Sequence, residues 1–135
     1  MQRVTGLGGV FFKCADRDKQ IEWYRRHLGL DIEPSGSWVF EWRDKDAPDK
    51  PGHTVWGAFK GDTDYFDPSD KPFMINLRVD DLDGMIARLR ANGVTLAGGP
   101  DDDSFGRFAW VIDPEGTKIE LWESNSVGKP KSGES

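Results

Sequence analysis

Cysteine is almost absent: Cys14 is alone among 135 residues, and with two histidines the chain has the means for neither an intramolecular disulfide nor a zinc cluster. Basic residues are in deficit, 18 Lys and Arg against 24 Asp and Glu, for a formal charge of −6 and a pI near 4.9. Binding nucleic acid takes a basic footprint that displaces counterions from phosphate, and an anionic lipid surface asks for the same, so neither partner is expected. Long apolar runs are missing too. At a mean hydropathy of −0.64 no stretch resembles a membrane-spanning helix. The opening Met1-Gln2-Arg3-Val4-Thr5-Gly6 has neither the apolar core nor the cleavage site of a signal peptide. What the chain has in quantity is tryptophan, six residues, suited equally to a core and to the walls of a ligand pocket. These features describe one acidic, soluble, cytoplasmic domain, long enough to bury a core without a staple.

Along the chain, short β-favouring runs alternate with two helical patterns. After the glycines Gly6, Gly8 and Gly9, Val10–Cys14 reads as a strand. Asp16 offers an N-cap to a helix with Ile21, Tyr24 and Leu28 on one face, closed by Gly29. Ser37–Arg43 and His53–Lys60 are strand-like, separated by a polar turn-forming loop, and 61–72 is an Asp-rich connector. The pattern then restarts. Phe73–Val79 alternates as a half-buried strand, and Asp81 caps a helix with Leu82, Met85, Ile86 and Leu89 at helical spacing. Val94–Leu96 is a further strand and Gly98–Asp103 a loop; Phe108–Ile112 and Lys118–Trp122 form a hairpin around Asp113-Pro114-Glu115-Gly116. From Ser124 the chain is small and polar, a composition expected of a disordered tail.

The two halves repeat. In one register Lys13 meets Arg78, Asp16 meets Asp81, Asp18 meets Asp83 and Ile21 meets Ile86, while Gly29 and Gly93 match with a one-residue slip. The expected architecture is α+β, one domain over 1–123 made of two paired βαβββ modules, about 4–62 and 72–123, with 124–135 as a tail.

Paired modules of this kind resemble the vicinal-oxygen-chelate family, which includes glyoxalase I, extradiol dioxygenases and the fosfomycin- and bleomycin-resistance proteins. Asp113-Pro114-Glu115-Gly116-Thr117-Lys118-Ile119-Glu120-Leu121 looks like the family's Asp-Pro-x-Gly-x-x-Ile-Glu-Leu hairpin. Trp23-Tyr24-Arg25-Arg26-His27-Leu28-Gly29 is similar to its first-helix signature, and Val79-Asp80-Asp81-Leu82-Asp83 to the opening of its second helix. The resemblance covers about residues 4–123. It implies a sheet curled into a cup and, in metal-dependent members, a divalent ion inside it with open positions for two substrate oxygens. The implied ligand positions fall on Gly9, Met74, a residue near Val55–Ala58, and Glu120, and of these only Glu120 is a ligand for a hard ion. No metal or other cofactor is therefore expected.

Strand alternation gives the contents of the cup. With Met74 inward, as the resemblance implies, Asn76 and Arg78 share its face. Phe11 and Lys13 point in from the first strand, and Glu120 brings Lys118 and Trp122. Trp56 is a further candidate for the wall. For Phe108–Ile112 the register stays open, so either Trp110 or its neighbours Ala109 and Val111 face inward. The expected ligand-binding set is Phe11, Trp56, Met74, Asn76, Arg78, Glu120 and Trp122, with Glu120 the one candidate for catalysis.

Other features read as structural. His53 opens a strand and is expected at the surface, and His27 suits the helix dipole at the last turn. Asp101-Asp102-Asp103 is expected to be a solvated loop, Gly6-x-Gly8-Gly9 lacks the context of a phosphate loop, and Cys14 packs as a small hydrophobe. The leading expectation is a metal-independent homodimer that binds a small organic molecule, as bleomycin-resistance proteins do. The alternative is a lyase, isomerase or dioxygenase with altered ligands and Glu120 as general base.

Overall fold

The computed structural model describes residues 3–125, and in it both helices begin on their expected aspartates. Asp16 accepts from the Lys19 amide at the head of α1 (Arg17–Leu28), and Gly29 ends that helix in the left-handed region at φ 67°. Asp81 does the same for the Gly84 amide at the head of α2 (Leu82–Ala91).

Seven strands form one open sheet: β1 (Val4–Cys14), β2 (Ser37–Asp44), β3 (Ala47–Lys60), β4 (Phe73–Val79), β5 (Gly98–Asp103), β6 (Gly106–Ile112) and β7 (Lys118–Ser124). Their order is β2-β3-β1-β4-β7-β6-β5. The modules join through their first strands, β1 and β4, which run antiparallel, and each of these lies parallel to the last strand of its own half. Residues of both outer halves line one common cavity, so the sheet curls. The architecture is the expected α+β cup.

In detail the halves differ. Two strands, not three, follow α1. The segment after Gly29 is short, holds Pro34 and Gly36, and is tied down by arginines: Arg17 Nε donates to the Ala58 carbonyl at 2.9 Å, and Arg25 Nε to that of Ile32 at 3.1 Å. In the second half the strand after α2 is Gly98–Asp103, not Val94–Leu96. Its Gly, Pro and Asp are poor strand formers, but it is an edge strand with a register shift between Gly98 and Asp101, where proline is tolerated. Asp44–Pro51, expected as a loop, is mostly hairpin, β2 and β3 closing tightly around residues 45 and 46. The Asp113 turn is built as expected, its carboxylate accepting from the amides of Glu115 and Thr117. Of the expected tail, Ser124 is a buried strand residue and Asn125 donates to the Ser104 carbonyl; the remainder lies outside the described residues.

Each helix covers its own apolar cluster. Under α2 lie Val79, Leu82, Met85, Ile86, Ala109 and Leu121; under α1 lie Cys14, Ile21, Ile32, Trp56 and Ala58. Trp56 is therefore not part of the cup. Its neighbours Val55 and Gly57 face the other way, and its ring packs at 4.8 Å from both Phe12 and Tyr24. Burial among these groups also raises the pKa of the Cys14 thiol, a structural residue as expected.

Candidate functional site

Glu120 is central to β7, 3 % exposed, and its carboxylate is held by three uncharged donors. Asn76 Nδ2 donates to Oε1 at 2.6 Å from the adjacent β4, in register with Glu120. Trp110 Nε1 donates to Oε2 at 2.8 Å from the adjacent β6, directly opposite in the antiparallel ladder. The third donor, the Tyr65 hydroxyl, also bonds Oε2 and comes from the connector. Trp110 thus takes the inward parity, while Ala109 joins the core under α2.

Above this carboxylate opens a cavity of about 670 Å³. One wall is formed by Phe108 and Trp122, stacked at 6.1 Å and 2°, with Trp110 stacked on Phe108 at 6.3 Å and 12° behind it. Phe11 and Phe59 meet edge to face at 5.6 Å on the opposite side. Glycine makes these approaches feasible. A Cβ on Gly57 would stand 2.6 Å from Phe11 Cδ1, and one on Gly8 would stand 2.0 Å from Asn76 Oδ1.

Residues 9–122 match the family model described as a glyoxalase-like domain. The chain belongs to the glyoxalase-like family. It is a vicinal-oxygen-chelate protein, as the hairpin and helix motifs implied. A methylmalonyl-CoA epimerase, solved with methylmalonyl-CoA and NH4+, superposes at a TM-score of 0.67 with 21 % identity over 95 % of this chain and all of that one. The methylmalonyl-CoA epimerase of Mycobacterium tuberculosis gives 0.56 with 27 % identity over 88 % and 87 % of the two chains. The Mn(II)-bound glyoxalase of Novosphingobium aromaticivorans gives 0.60 with 21 % identity, covering 90 % of this chain and 40 % of that one. No curated protein sequence matches the chain.

The side chains of this glyoxalase-like cup do not fit a divalent ion. Gly9 brings no donor, and a Cβ there would meet the Phe11 ring at 2.9 Å. Met74 is fully buried and does not reach the cavity. Glu120 already accepts three hydrogen bonds, and among the described residues no three His, Cys, Asp or Glu side chains converge.

Of the expected ligand-binding residues, Phe11, Asn76, Glu120 and Trp122 line the cavity. Met74, Arg78 and Trp56 do not. Met74 shares the face of Asn76 but lies wholly under other groups, and Arg78 is walled off behind Trp122. His53 is a cavity residue rather than a plain surface one, its Nε2 3.6 Å from Glu41 Oε2. Phe59, Tyr65, Phe105 and Phe108 were not foreseen. The adjacent aromatics Tyr65 and Phe66 in an otherwise polar connector were the available signal: Phe66 is fully buried and Tyr65 stacks on Phe59 at 5.8 Å.

Desolvation and then the charge of Glu120 hold the Tyr65 phenol protonated well above its ordinary value of 10.0, while burial lowers the pKa of Lys118, whose ammonium lies over the Tyr65 and Trp110 rings. A phenol with a raised pKa stabilises the fold fully below the unfolded value, and that contribution is lost as pH rises past it. Tyr65→Phe is expected to cost about 1–2 kcal/mol at neutral pH, a partly exposed hydrogen bond to a charged group. The gap to the wild type should narrow above pH 10 in urea melts. A gap that stays level there would show that the phenol ionises as freely in the fold as in the unfolded chain.

Proposed function

We propose that this glyoxalase-like protein binds a small aromatic organic molecule, cationic or neutral, in the Glu120 cavity and uses no resident metal. The observation that carries this reading is electrostatic. Among the described residues Glu120 and Asp103 line the cavity and no lysine or arginine does. The hydrogen bonds to Glu120 come from neutral donors; Lys118, whose charge interacts with it through space, donates to the Tyr65 carbonyl at 2.7 Å. A carboxylate has about four lone-pair positions, and three are used, which leaves one for a donor on the ligand. The stacked pair of Phe108 and Trp122 offers flat apolar faces that attract aromatic rings and cations.

An enzymatic reading would have Glu120 exchange a proton with substrate. With Asn76, Tyr65 and Trp110 all donating to it, this carboxylate is built as a fixed acceptor. A homodimer belongs to the same proposal, since β2 is an edge strand with Phe40 exposed on the face opposite the cavity-lining Val39, a surface that a second copy would cover.

The test is a tryptophan-fluorescence titration with one bicyclic aromatic carrying an amine, no charge or a carboxylate. The amine form is expected to bind about tenfold or more tighter than the carboxylate form, a difference of about 1.4 kcal/mol, with Glu120→Gln erasing the preference. Elemental analysis of the purified protein should find metal far below one ion per chain. Preferential binding of the carboxylate form, or a stoichiometric metal lost in Glu120→Gln, would overturn the proposal.

A further inference from the structure

Arg78 stands apart from every other charge in the described molecule. It is 6 % exposed, its Nε is buried without a partner, and no hydrogen bond or ion pair engages its side chain among the described residues. The guanidinium lies between two indoles, 5.7 Å from the ring centroids of both Trp42 and Trp122. Ring faces compensate part of the lost hydration of a cation, but they supply no acceptor for its N–H groups. Buried arginines normally meet a carboxylate or phosphate, and this one meets none.

Arg78 also borders a cleft of about 70 Å³, outside the Glu120 cavity, with Trp42, Lys50, Asp44 and Asp80 on its walls. That volume admits a group of a few heavy atoms and excludes an aromatic body. We propose that this cleft is a binding site for a small monocarboxylate group, whose oxygens accept from the Arg78 guanidinium with Lys50 beside them. Asp44 and Asp80 set the charge that the site tolerates. They oppose a dianion more than a monoanion, so formate or acetate is favoured over phosphate. Neither aspartate lies within ion-pair distance of Arg78 among the described residues. Burial lowers the pKa of Arg78 and the charge of Asp80 counters this only in part, in keeping with a cation that lacks its acceptor. This site is independent of the ligand proposed for the Glu120 cavity, Trp122 standing between them.

The full chain is titrated with formate, acetate, phosphate and chloride at constant ionic strength, following the Arg78 Nε–H resonance in ¹H–¹⁵N spectra and the melting temperature. Formate and acetate are expected to shift that resonance saturably and to raise the melting temperature, phosphate to act several-fold more weakly, and chloride to do neither. Lys50→Met, on the cleft wall, should weaken acetate binding several-fold, and Arg78→Met should abolish the acetate-specific rise in melting temperature. The wild-type spectra decide the matter even if Arg78→Met does not fold. An Arg78 resonance unmoved by formate and acetate, or moved equally by chloride, overturns the site; a stronger response to phosphate overturns its monocarboxylate preference.

Discussion

Glu120→Ala is expected to lower the unfolding free energy by about 2–4 kcal/mol, the sum of what several abandoned donors cost once partial rehydration is allowed. Asn76 is 2 % exposed, so its amide loses a charged partner that cavity water replaces only in part. Trp110 Nε1 loses an acceptor at 2.8 Å, whereas the half-exposed Tyr65 can turn to solvent. The methyl group of alanine leaves a void under the cavity that adds to the loss. Urea unfolding at neutral pH, with an unchanged m-value, measures it, and binding of the cationic aromatic probe should disappear in the same variant. A loss below about 1 kcal/mol would mean that the donors find other partners, and Glu120 would not then be the organising group of the cup.

Gly8→Val should close the cavity from the other side. Its Cβ would stand 2.0 Å from Asn76 Oδ1, a contact that real side chains do not make, and 3.0 Å from Trp122 Cε3, which is tighter than most. The backbone there has no left-handed φ, so the effect is one of space alone. Relief requires Asn76 to swing off Glu120, which gives up a hydrogen bond to a charged group and overpacks the wall, together about 2–4 kcal/mol. The further methyl groups point toward the cavity beside Trp122, and affinity for the cationic probe should fall by more than about tenfold, or 1.4 kcal/mol. Near-wild-type stability and binding would show that Asn76 has room to move, and that its bond to Glu120 is dispensable.

These two residues also show where reading the chain succeeded and where it stopped. Glu120 was legible because the Asp113–Leu121 hairpin resembles the family's motif, and its turn chemistry and alternating strand are local properties. The alternation that put Asn76 and Trp122 with it was equally local. Tyr65 was illegible, since nothing within the connector says which wall of the cup it will touch. Trp56 was misplaced because its parity depends on the long hairpin formed by β2 and β3, whose register is set by a turn at 45 and 46 inside a run of aspartates and prolines.

The sequence alone determined the acidic character of the chain, both helices with their aspartate caps, and which residues of β4 and of β7 share a face. Each follows from charge, capping chemistry or the two-residue period, which act over a few neighbouring residues. Only the tertiary structure decided that Arg78, on the same face as Asn76, is sealed behind Trp122, and that Tyr65, Asn76 and Trp110 converge on one carboxylate. Those outcomes depend on how far the sheet curls and where its strands shift register, as β1 does twice against β4. Curl and register arise from packing between distant segments, which no local pattern encodes.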